Sequence, residues 1–336
     1  MLVSVVIPVY NGEEFLLECL ESVRACPSPE MECIIVNDGS DDGTKEMCQE
    51  FLCKDARFRL IDKEKSGVSE SRNRGLAIAA GDYVFFLDAD DYIDAGKWRE
   101  ILAHAAAAAY DMVAFSHRNL SVSGAATEET FPEGCDIACA VLSTTLLNTC
   151  WGKLLRREII SGNGLKFREG LNTCEDAVFI LDFVQKAKTF IPLSCCALCH
   201  RIHPGGAMQR ARLDSKLSDF GALFERRLRY LSENDYEPYR KAMYRQSFSV
   251  ITDLFRTHAG KQRLRDARDD FNKAMENPVV KAIMAGCTIG SLSPVHKKIE
   301  YALMSGGLYT VMAAYFKVKG RFRPAKKGNT IKNDNS

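Results

Sequence analysis

Two carboxylates one residue apart, Asp88 and Asp90, directly follow the apolar run at residues 83–87. Carboxylates with this spacing can offer oxygen ligands to a hard divalent cation, and such ions commonly bridge a protein to the phosphates of a bound substrate. A ligand set made only of oxygen favours magnesium or manganese over zinc. We therefore predict that Asp88 and Asp90 bind Mg²⁺ or Mn²⁺ together with a phosphate-containing ligand.

Two more polar clusters follow apolar runs in the same way. Tyr10 comes after residues 2–9, and Asp38 begins an acidic turn after residues 33–37. One such cluster could be only a helix cap. Three clusters at the carboxyl ends of parallel strands would instead share one edge of a sheet, where ligands bind. No glycine-rich dinucleotide or phosphate-loop motif follows the first run, so we expect metal and side chains to hold the phosphates.

The elements that must position these residues alternate between strand-like and helix-like patterns up to about residue 115. This alternation predicts an α/β fold with a mostly parallel sheet and helices on both faces. From about Leu213 onward the pattern is helical throughout. The predicted strands are 2–9, 33–37, 58–61, 83–87 and 112–115, the predicted loop is 117–134, and the predicted domains are 1–210 and 211–336.

Several ordered blocks of the sequence carry a resemblance to a known family. They are residues 3–11, 34–40, 67–73 and 82–91, followed by Trp-Gly-Lys-Leu-Leu from Trp151 and Glu-Asp-Ala-Val-Phe from Glu175. Over residues 1–205 the sequence resembles the family 2 glycosyltransferases of the GT-A fold, in the form of the bacterial polysaccharide enzymes. The resemblance implies a Rossmann-like catalytic domain over residues 1–210 and a nucleotide-activated sugar donor, most often a UDP-sugar. It also implies a saccharide or lipid-linked acceptor.

The resemblance also implies roles on the donor side of the pocket. Asp38 would bind the uracil ring, Asp88 would contact the ribose or the metal ion, and Asp90 would be the principal metal ligand. The other positions expected to contact the nucleotide are Pro8, Tyr10, Gly67 and Arg72.

On the acceptor side, Asp176 matches the general base of such enzymes, and Glu175 would support it. An acceptor hydroxyl is a poor nucleophile until a base removes its proton, and the departing nucleoside diphosphate needs a cation. A base opposite the diphosphate allows a single displacement with inversion. Trp151 and Lys153 could line the donor or acceptor pocket, although a tryptophan before a helix equally fits core packing.

Other interpretations of the sequence remain open. A sugar nucleotidyltransferase shares the architecture and the metal, but it would need a glycine-rich basic loop after the first strand. A non-catalytic sugar-nucleotide-binding protein is the second alternative. Cys196, Cys199 and His200 match the C-x-x-C-H pattern of haem attachment, and His203 would add a zinc ligand. A buried strand that contains cysteine explains these residues as well, and we favour it.

The composition of the 336 residues is that of a globular protein, with 46% hydrophobic and 26% charged residues. The 45 basic and 44 acidic residues give a net charge of +1, which provides no general attraction to nucleic acid. Thirteen cysteines are an odd number, so a complete set of disulfides is not expected. The start does not resemble a signal peptide, and the longest uncharged runs are too short to span a bilayer. A cytoplasmic location is the expectation.

The C-terminal end contains an apolar run at 301–316 followed by a basic tail. As one helix, this run would place Met304, Leu308, Val311, Met312 and Tyr315 near one face. Such a helix could pack on its domain, with the tail in solvent. Alternatively, helix and tail could contact the inner face of the cell membrane, because cations strengthen the binding of an apolar helix face to anionic lipid.

Overall fold

The computed structural model describes residues 1–26, 31–121, 124–171, 173–203 and 212–321. Within these ranges the chain forms two compact units. Of the described residues, the first contains 1–26, 31–121, 124–140, 146–171 and 175–203, and the second contains 141–145, 173–174 and 212–321. The predicted domain boundary between residues 210 and 211 lies outside the described residues and stays a prediction.

The first unit is built on a nine-stranded mixed sheet in the order β3-β2-β1-β4-β8-β6-β9-β5, with β7 paired to β6. Its strands are β1 (Val3–Val9), β2 (Met31–Asp38), β3 (Phe58–Lys63), β4 (Tyr83–Phe86), β5 (Tyr92–Ile93), β6 (Met112–Ser121), β7 (Ala126–Glu129), β8 (Lys153–Arg156) and β9 (Phe190–Ile202). The first four strands are parallel, as predicted. Strands β1, β2 and β4 are fully buried, which explains why they are continuous apolar runs in the sequence.

Helices alternate with the strands of the sheet and continue beyond it. They are α1 (Leu16–Arg24), α2 (Thr44–Leu52), α3 (Val68–Ile78), α4 (Ala95–Ala108), α5 (Ile137–Ser143), α6 (Arg157–Gly162) and α7 (Glu175–Val184). Together, sheet and helices confirm the predicted α/β class.

The second unit is helical among its described residues, apart from short connections. Its long helices are α8 (Leu213–Glu233), α9 (Arg240–Lys261), α10 (Leu264–Met275), α11 (Pro278–Gly286), α12 (Val295–Ser305) and α13 (Tyr309–Arg321). Phe255 and Phe271 stack in its core with ring centroids 4.7 Å apart. The predicted helical C-terminal region is therefore confirmed.

Two local predictions were wrong. Residues 117–134 are not one loop, because β6 continues to Ser121 and pairs with β7. The run at 301–316 is not one helix, because α12 ends at Ser305 and Gly307 has a left-handed φ of 66°. Met304 and Met312 consequently lie in the core of the second unit, while Leu308 and Val311 are exposed. The basic tail beyond residue 321 lies outside the described residues.

No helix among the described residues is both long enough and apolar enough to cross a membrane.

Candidate active site

The three predicted polar clusters meet at one edge of the sheet. The backbone N–H of Asn11, after β1, donates to the Ser40 hydroxyl after β2 at 2.9 Å. In return, the Asn11 side chain accepts from the backbone N–H of Asp41 at 3.0 Å. The sulfur of Cys19 on α1 contacts the carbonyl of Asp88 at 3.7 Å, which brings in the end of β4.

Three carboxylates after β4 form the candidate metal centre. One oxygen from each of Asp88, Asp90 and Asp91 lies within 4.8 Å of the others, and this is the one group of its kind among the described residues. Asp91 is fully buried, and its Oδ2 has no hydrogen-bond partner. Burial, together with the charges of Asp88 and Asp90, raises the pKa of Asp91. A buried oxygen without a partner beside two carboxylates fits a cation, and the all-oxygen set fits Mg²⁺ or Mn²⁺.

One buried guanidinium links the metal centre to the expected catalytic base. The Nη2 atom of Arg72 contacts Asp88 at 2.9 Å, and its Nη1 atom contacts Asp176 at 2.5 Å and Glu175 at 3.1 Å. Burial lowers the pKa of Arg72, but the nearby anions, Asp176 first among the carboxylates, outweigh burial and raise it. The resemblance implies that Arg72 contacts the nucleotide. In the structure, Arg72 contacts Asp88 on the expected donor side and Asp176 on the expected acceptor side.

Helix α3 positions Arg72 by packing close to the sheet. A Cβ atom on Gly75 would lie 2.3 Å from a methyl group of Val6 on β1, so only glycine allows this approach. The Arg72 guanidinium lies 5.2 Å from the centre of the Phe167 ring, and Asn73 exchanges two hydrogen bonds with the backbone of Phe167. These contacts hold Arg72 in one place.

The two acidic residues at the start of α7 have different environments. The Oδ2 atom of Asp176 accepts a hydrogen bond from the backbone N–H of Cys150 at 3.1 Å, while its Oδ1 atom faces Arg72. Burial and the charge of Asp176 raise the pKa of Glu175 to about 7, against the opposing effect of Arg72. Asp176 is therefore fixed in direction by two donors, and Glu175 changes protonation near neutral pH.

Trp151 and Lys153 lie beside Asp176 in an aromatic, histidine-containing cluster. The ring of Trp151 stacks on His200 at 5.0 Å and meets the edge of His117 at 4.6 Å. Lys153 is buried and donates to the Trp151 carbonyl at 2.8 Å, and burial lowers its pKa to about 7. Burial also lowers the pKa of His117 to about 4. His200 is used in this packing, which favours the strand interpretation of the C-x-x-C-H pattern.

Three residues predicted to contact the nucleotide, Tyr10, Asp38 and Gly67, lie at the loop after β3. Asp38 accepts from the backbone N–H of Ser66 at 2.8 Å and of Gly67 at 2.9 Å, and it pairs with Lys63. These contacts lower the pKa of Asp38 despite its partial burial, which acts in the opposite direction. The Lys65 ammonium lies 3.7 Å from the centre of the Tyr10 ring. Pro8 lies within β1, where it pairs with Val36 of β2.

Two further residues lie at the candidate metal centre. Asp91 was not selected from the sequence, and His203 was considered only as a zinc ligand beside the C-x-x-C-H pattern. The Nε2 atom of His203 lies 2.8 Å from Oδ2 of Asp90, and the backbone N–H of Arg201 donates to Asp91 at 2.8 Å. The antiparallel pairing of β5 with β9 brings these residues together, since Tyr92 stands opposite Cys199. For Asp91, the sequence offered as a signal only that this carboxylate directly follows Asp90.

The structure is similar to residues 1–349 of TarS from Staphylococcus aureus, solved in complex with UDP-GlcNAc. The TM-score is 0.69 at 18% identity, over 96% of this chain and 92% of that chain. With the strand-end carboxylates, this likeness defines the GT-A class of fold.

Residues 4–159 match the sequence profile of glycosyl transferase family 2. EpsH of Bacillus subtilis (strain 168) is 31% identical over 253 residues, which are 72% of this chain and 72% of EpsH. The poly(ribitol-phosphate) beta-N-acetylglucosaminyltransferase TarS of S. aureus (strain Mu50) is 26% identical over 194 residues, which are 57% of this chain and 34% of TarS. The chain belongs to glycosyl transferase family 2, and it is a glycosyltransferase that takes a nucleotide-sugar donor.

Proposed function

We propose that the protein transfers a sugar from a UDP-hexose or UDP-N-acetylhexosamine to a hydroxyl of a saccharide or lipid-linked acceptor, with inversion at the anomeric carbon. The observation that carries the proposal is the position of Arg72 between Asp88 and Asp176. Asp88 would bind the metal on one side of the guanidinium, and Asp176 would act as base on the other. The two carboxylates could then face the diphosphate and the acceptor hydroxyl, which lie on opposite sides of the transferred sugar. Direct displacement with inversion needs the base and the leaving diphosphate on opposite sides of the anomeric carbon, and this arrangement would allow that.

The choice of UDP is supported by the family resemblance, which implies that Asp38 binds uracil, and by the fold neighbours. TarS was solved with UDP-GlcNAc, whereas the mannosyltransferase PcManGT of Pyrobaculum calidifontis was solved with GDP-Man and Mn²⁺. The second likeness is weaker, with a TM-score of 0.56 at 14% identity. UDP-sugars are therefore the first donors to test, and GDP-mannose is the natural competitor.

Asp90 and Asp88 are the proposed ligands of a divalent ion, Mg²⁺ or Mn²⁺. A bound ion of this kind would stabilise the negative charge of the leaving diphosphate. Asp91 offers a further buried oxygen, and the His203 imidazole already contacts Asp90. These four side chains lie near the ends of β4 and β9, and the pairing of β9 with β5 fixes their spacing.

Asp176 is the proposed general base. An ionised carboxylate has about four acceptor positions on its two oxygens. Arg72 and the Cys150 N–H occupy one position on each oxygen, so each keeps another for the proton of an acceptor hydroxyl. The same two donors aim the carboxylate, which lowers the entropic cost of reaching the reactive geometry.

The test is incubation with Mn²⁺ and UDP-glucose, UDP-N-acetylglucosamine, UDP-galactose or GDP-mannose, with simple saccharides as acceptors. We expect release of UDP with formation of a glycoside whose anomeric configuration, measured by NMR, is opposite to that of the donor. Retention of configuration would contradict the inverting mechanism. Pyrophosphate release from UTP and a sugar phosphate would indicate a nucleotidyltransferase, and donor binding without turnover would indicate a binding protein.

A further inference from the structure

The exposed large apolar side chains of the described residues are concentrated near the C-terminal end. Six of eleven lie between residues 289 and 318, in the second unit. They are Ile289, Val295, Ile299, Leu308, Val311 and Val318. Single exposed apolar residues are ordinary on a protein surface, but a concentration of them indicates an interaction site.

Helix α13 is apolar on two faces. Met312, Ala313 and Phe316 form the buried face, with which the helix packs against α9 and α10. Leu308 immediately before the helix and Val311 and Val318 within it share a different face, since they follow at intervals of three and seven residues. These three side chains are 53%, 52% and 58% exposed. A helix that is apolar on two faces can pack on its own core with one face and contact a second apolar environment with the other.

Helix α12, which packs beside α13, repeats this feature. Val295 and Ile299 lie one turn apart and are 70% and 45% exposed, while Glu300 and Met304 are buried. The exposed Lys298 stands next to Ile299 in the sequence. Both helices thus place apolar side chains in solvent while their cores are already complete.

The charged side chains that α12 and α13 leave at the described surface, Lys298 and Lys317, are both basic. Between residues 277 and 321 the sequence contains a single acidic residue, Glu300. Glu300 is fully buried and pairs with Arg256 at 2.9 Å and Lys297 at 3.1 Å. Of the other basic residues of this span, Lys297 is buried and Lys281 pairs with the exposed Glu276 at 2.6 Å. The sequence continues with Lys319, Arg321, Arg323, Lys326 and Lys327, whose side chains lie outside the described part of the chain.

We propose that α12 and α13 form the surface by which the protein docks on an anionic lipid bilayer. Leu308, Val311 and Val318 would enter the boundary between head groups and acyl chains, and Lys298 and Lys317 would contact the anionic head groups. A second copy of the chain is a poorer partner, because a twofold interface would place these like charges against each other. The inference rests on the proposed function in one respect: a lipid-linked acceptor would explain why the protein docks on a membrane. The test of docking requires no sugar transfer.

The test is co-sedimentation of the full chain with phosphatidylcholine vesicles that do or do not contain phosphatidylglycerol. We expect binding only to the anionic vesicles and weakening by salt. Replacing Leu308, Val311 and Val318 together by serine should weaken binding about 100-fold or more, which corresponds to about 3 kcal/mol for the three side chains together. Lys298→Gln should weaken it about fivefold, which corresponds to about 1 kcal/mol.

The matched control replaces Leu17, Ile78 and Leu264 by serine, because these side chains have similar exposure (46%, 42% and 40%) outside the proposed surface. It should bind vesicles as the wild type does, and circular dichroism should show that both triple variants are folded. Equal binding by the two triple variants, or no binding by the wild type at low ionic strength, would overturn the proposal. If the wild type instead forms a concentration-dependent dimer and the Leu308/Val311/Val318 variant does not, the surface serves self-association and the proposal is wrong. Unchanged transfer to a soluble saccharide by that variant would separate docking from catalysis.

Discussion

At the scale of single residues, the balance of charge around Arg72 is the main physical feature of the site. One guanidinium faces three carboxylates, Asp88, Glu175 and Asp176, in a largely buried pocket. Removing one partner of a buried ion pair typically costs about 3–5 kcal/mol because the other charge stays uncompensated. A divalent ion at Asp88 and Asp90 would offset the remaining negative charge.

Arg72→Lys should keep the positive charge but lose the forked geometry that reaches both sides of the pocket. We therefore expect kcat to fall about 100-fold, the scale of a misplaced catalytic group, with a smaller change in the KM of the donor. Steady-state kinetics over a range of donor concentrations would measure both constants. A lysine variant with wild-type kcat would show that Arg72 contributes charge alone.

Asp176→Asn should preserve donor binding and lower the rate of transfer, since an amide does not accept the proton of the acceptor hydroxyl. Loss of a positioned general base typically costs about 10²–10⁴ in rate. Calorimetric titration with the donor measures binding, and a turnover assay measures the rate of transfer. Near-normal turnover by a folded Asp176→Asn protein would exclude Asp176 as the base.

Glu175→Gln should change how stability depends on pH. The folded protein raises the pKa of Glu175 from 4.5 to about 7, so it binds a proton that the unfolded chain releases. Because of this linkage, the free energy of unfolding of the wild type should fall as the pH rises from 4.5 to about 7. The expected decrease is on the order of 1–3 kcal/mol. Urea unfolding at several pH values should show that the variant lacks this decrease.

The pKa of His117, lowered to about 4 by burial, gives a slope of the opposite sign. That slope is present in both proteins and cancels in the comparison. Parallel stability curves for the wild type and the Glu175→Gln variant would therefore contradict the assignment to Glu175.

At the scale of secondary-structure elements, the contact between α3 and β1 determines where Arg72 lies. Gly75→Ala would insert a methyl group 2.3 Å from Val6, which is buried. Overpacking of this kind costs about 1–3 kcal/mol, and a displaced α3 should also lower the rate of transfer. Urea unfolding and the turnover assay measure the two effects.

Gly260 provides the matched control, since it lies within α9 and a methyl group added there would meet no neighbouring atom within 4 Å. Gly260→Ala should leave activity unchanged and raise stability by up to about 1 kcal/mol through helix propensity. Equal effects of the two substitutions would show that the close contact of α3 with β1 is unimportant.

At the scale of the whole molecule, ligand binding should be visible as a change in thermal stability. A ligand at 100 times its Kd stabilises the folded state by about 2.7 kcal/mol. The proposed metal centre predicts that UDP and Mn²⁺ together raise the Tm more than the sum of either alone, because the diphosphate and Asp90 repel each other without a cation. Differential scanning calorimetry with and without chelator would measure this.

Asp90→Ala is the control for the thermal shift. In this variant, UDP and Mn²⁺ together should raise the Tm by no more than the sum of their separate effects. The Tm of the free variant should stay within a few degrees of that of the wild type. A stabilisation by UDP that neither chelator nor this substitution changes would show that the nucleotide binds without the metal.

The sequence by itself determined the α/β class, the parallel strands β1–β4, and the polar residues at their ends. Buried parallel strands are continuous apolar runs, and their carboxyl ends share one edge, so Asp38, Asp88 and Asp90 could be selected from local patterns alone. The resemblance to family 2 glycosyltransferases added Asp176. The role proposed for each of these residues stays a prediction.

Only the tertiary structure decided how these residues meet. Arg72 and Asp176 are 104 positions apart, and their contact depends on the packing of α3 and on the backbone of Cys150, which no local pattern encodes. His203 reaches Asp90 only through the pairing of β9 with β5. Periodicity also failed at 301–316, where the turn at Gly307 divides one apolar run between two helices, each with a buried and an exposed face. A sequence pattern reports the burial preference of each side chain, whereas the partner of a buried charge is chosen by the packing of distant elements.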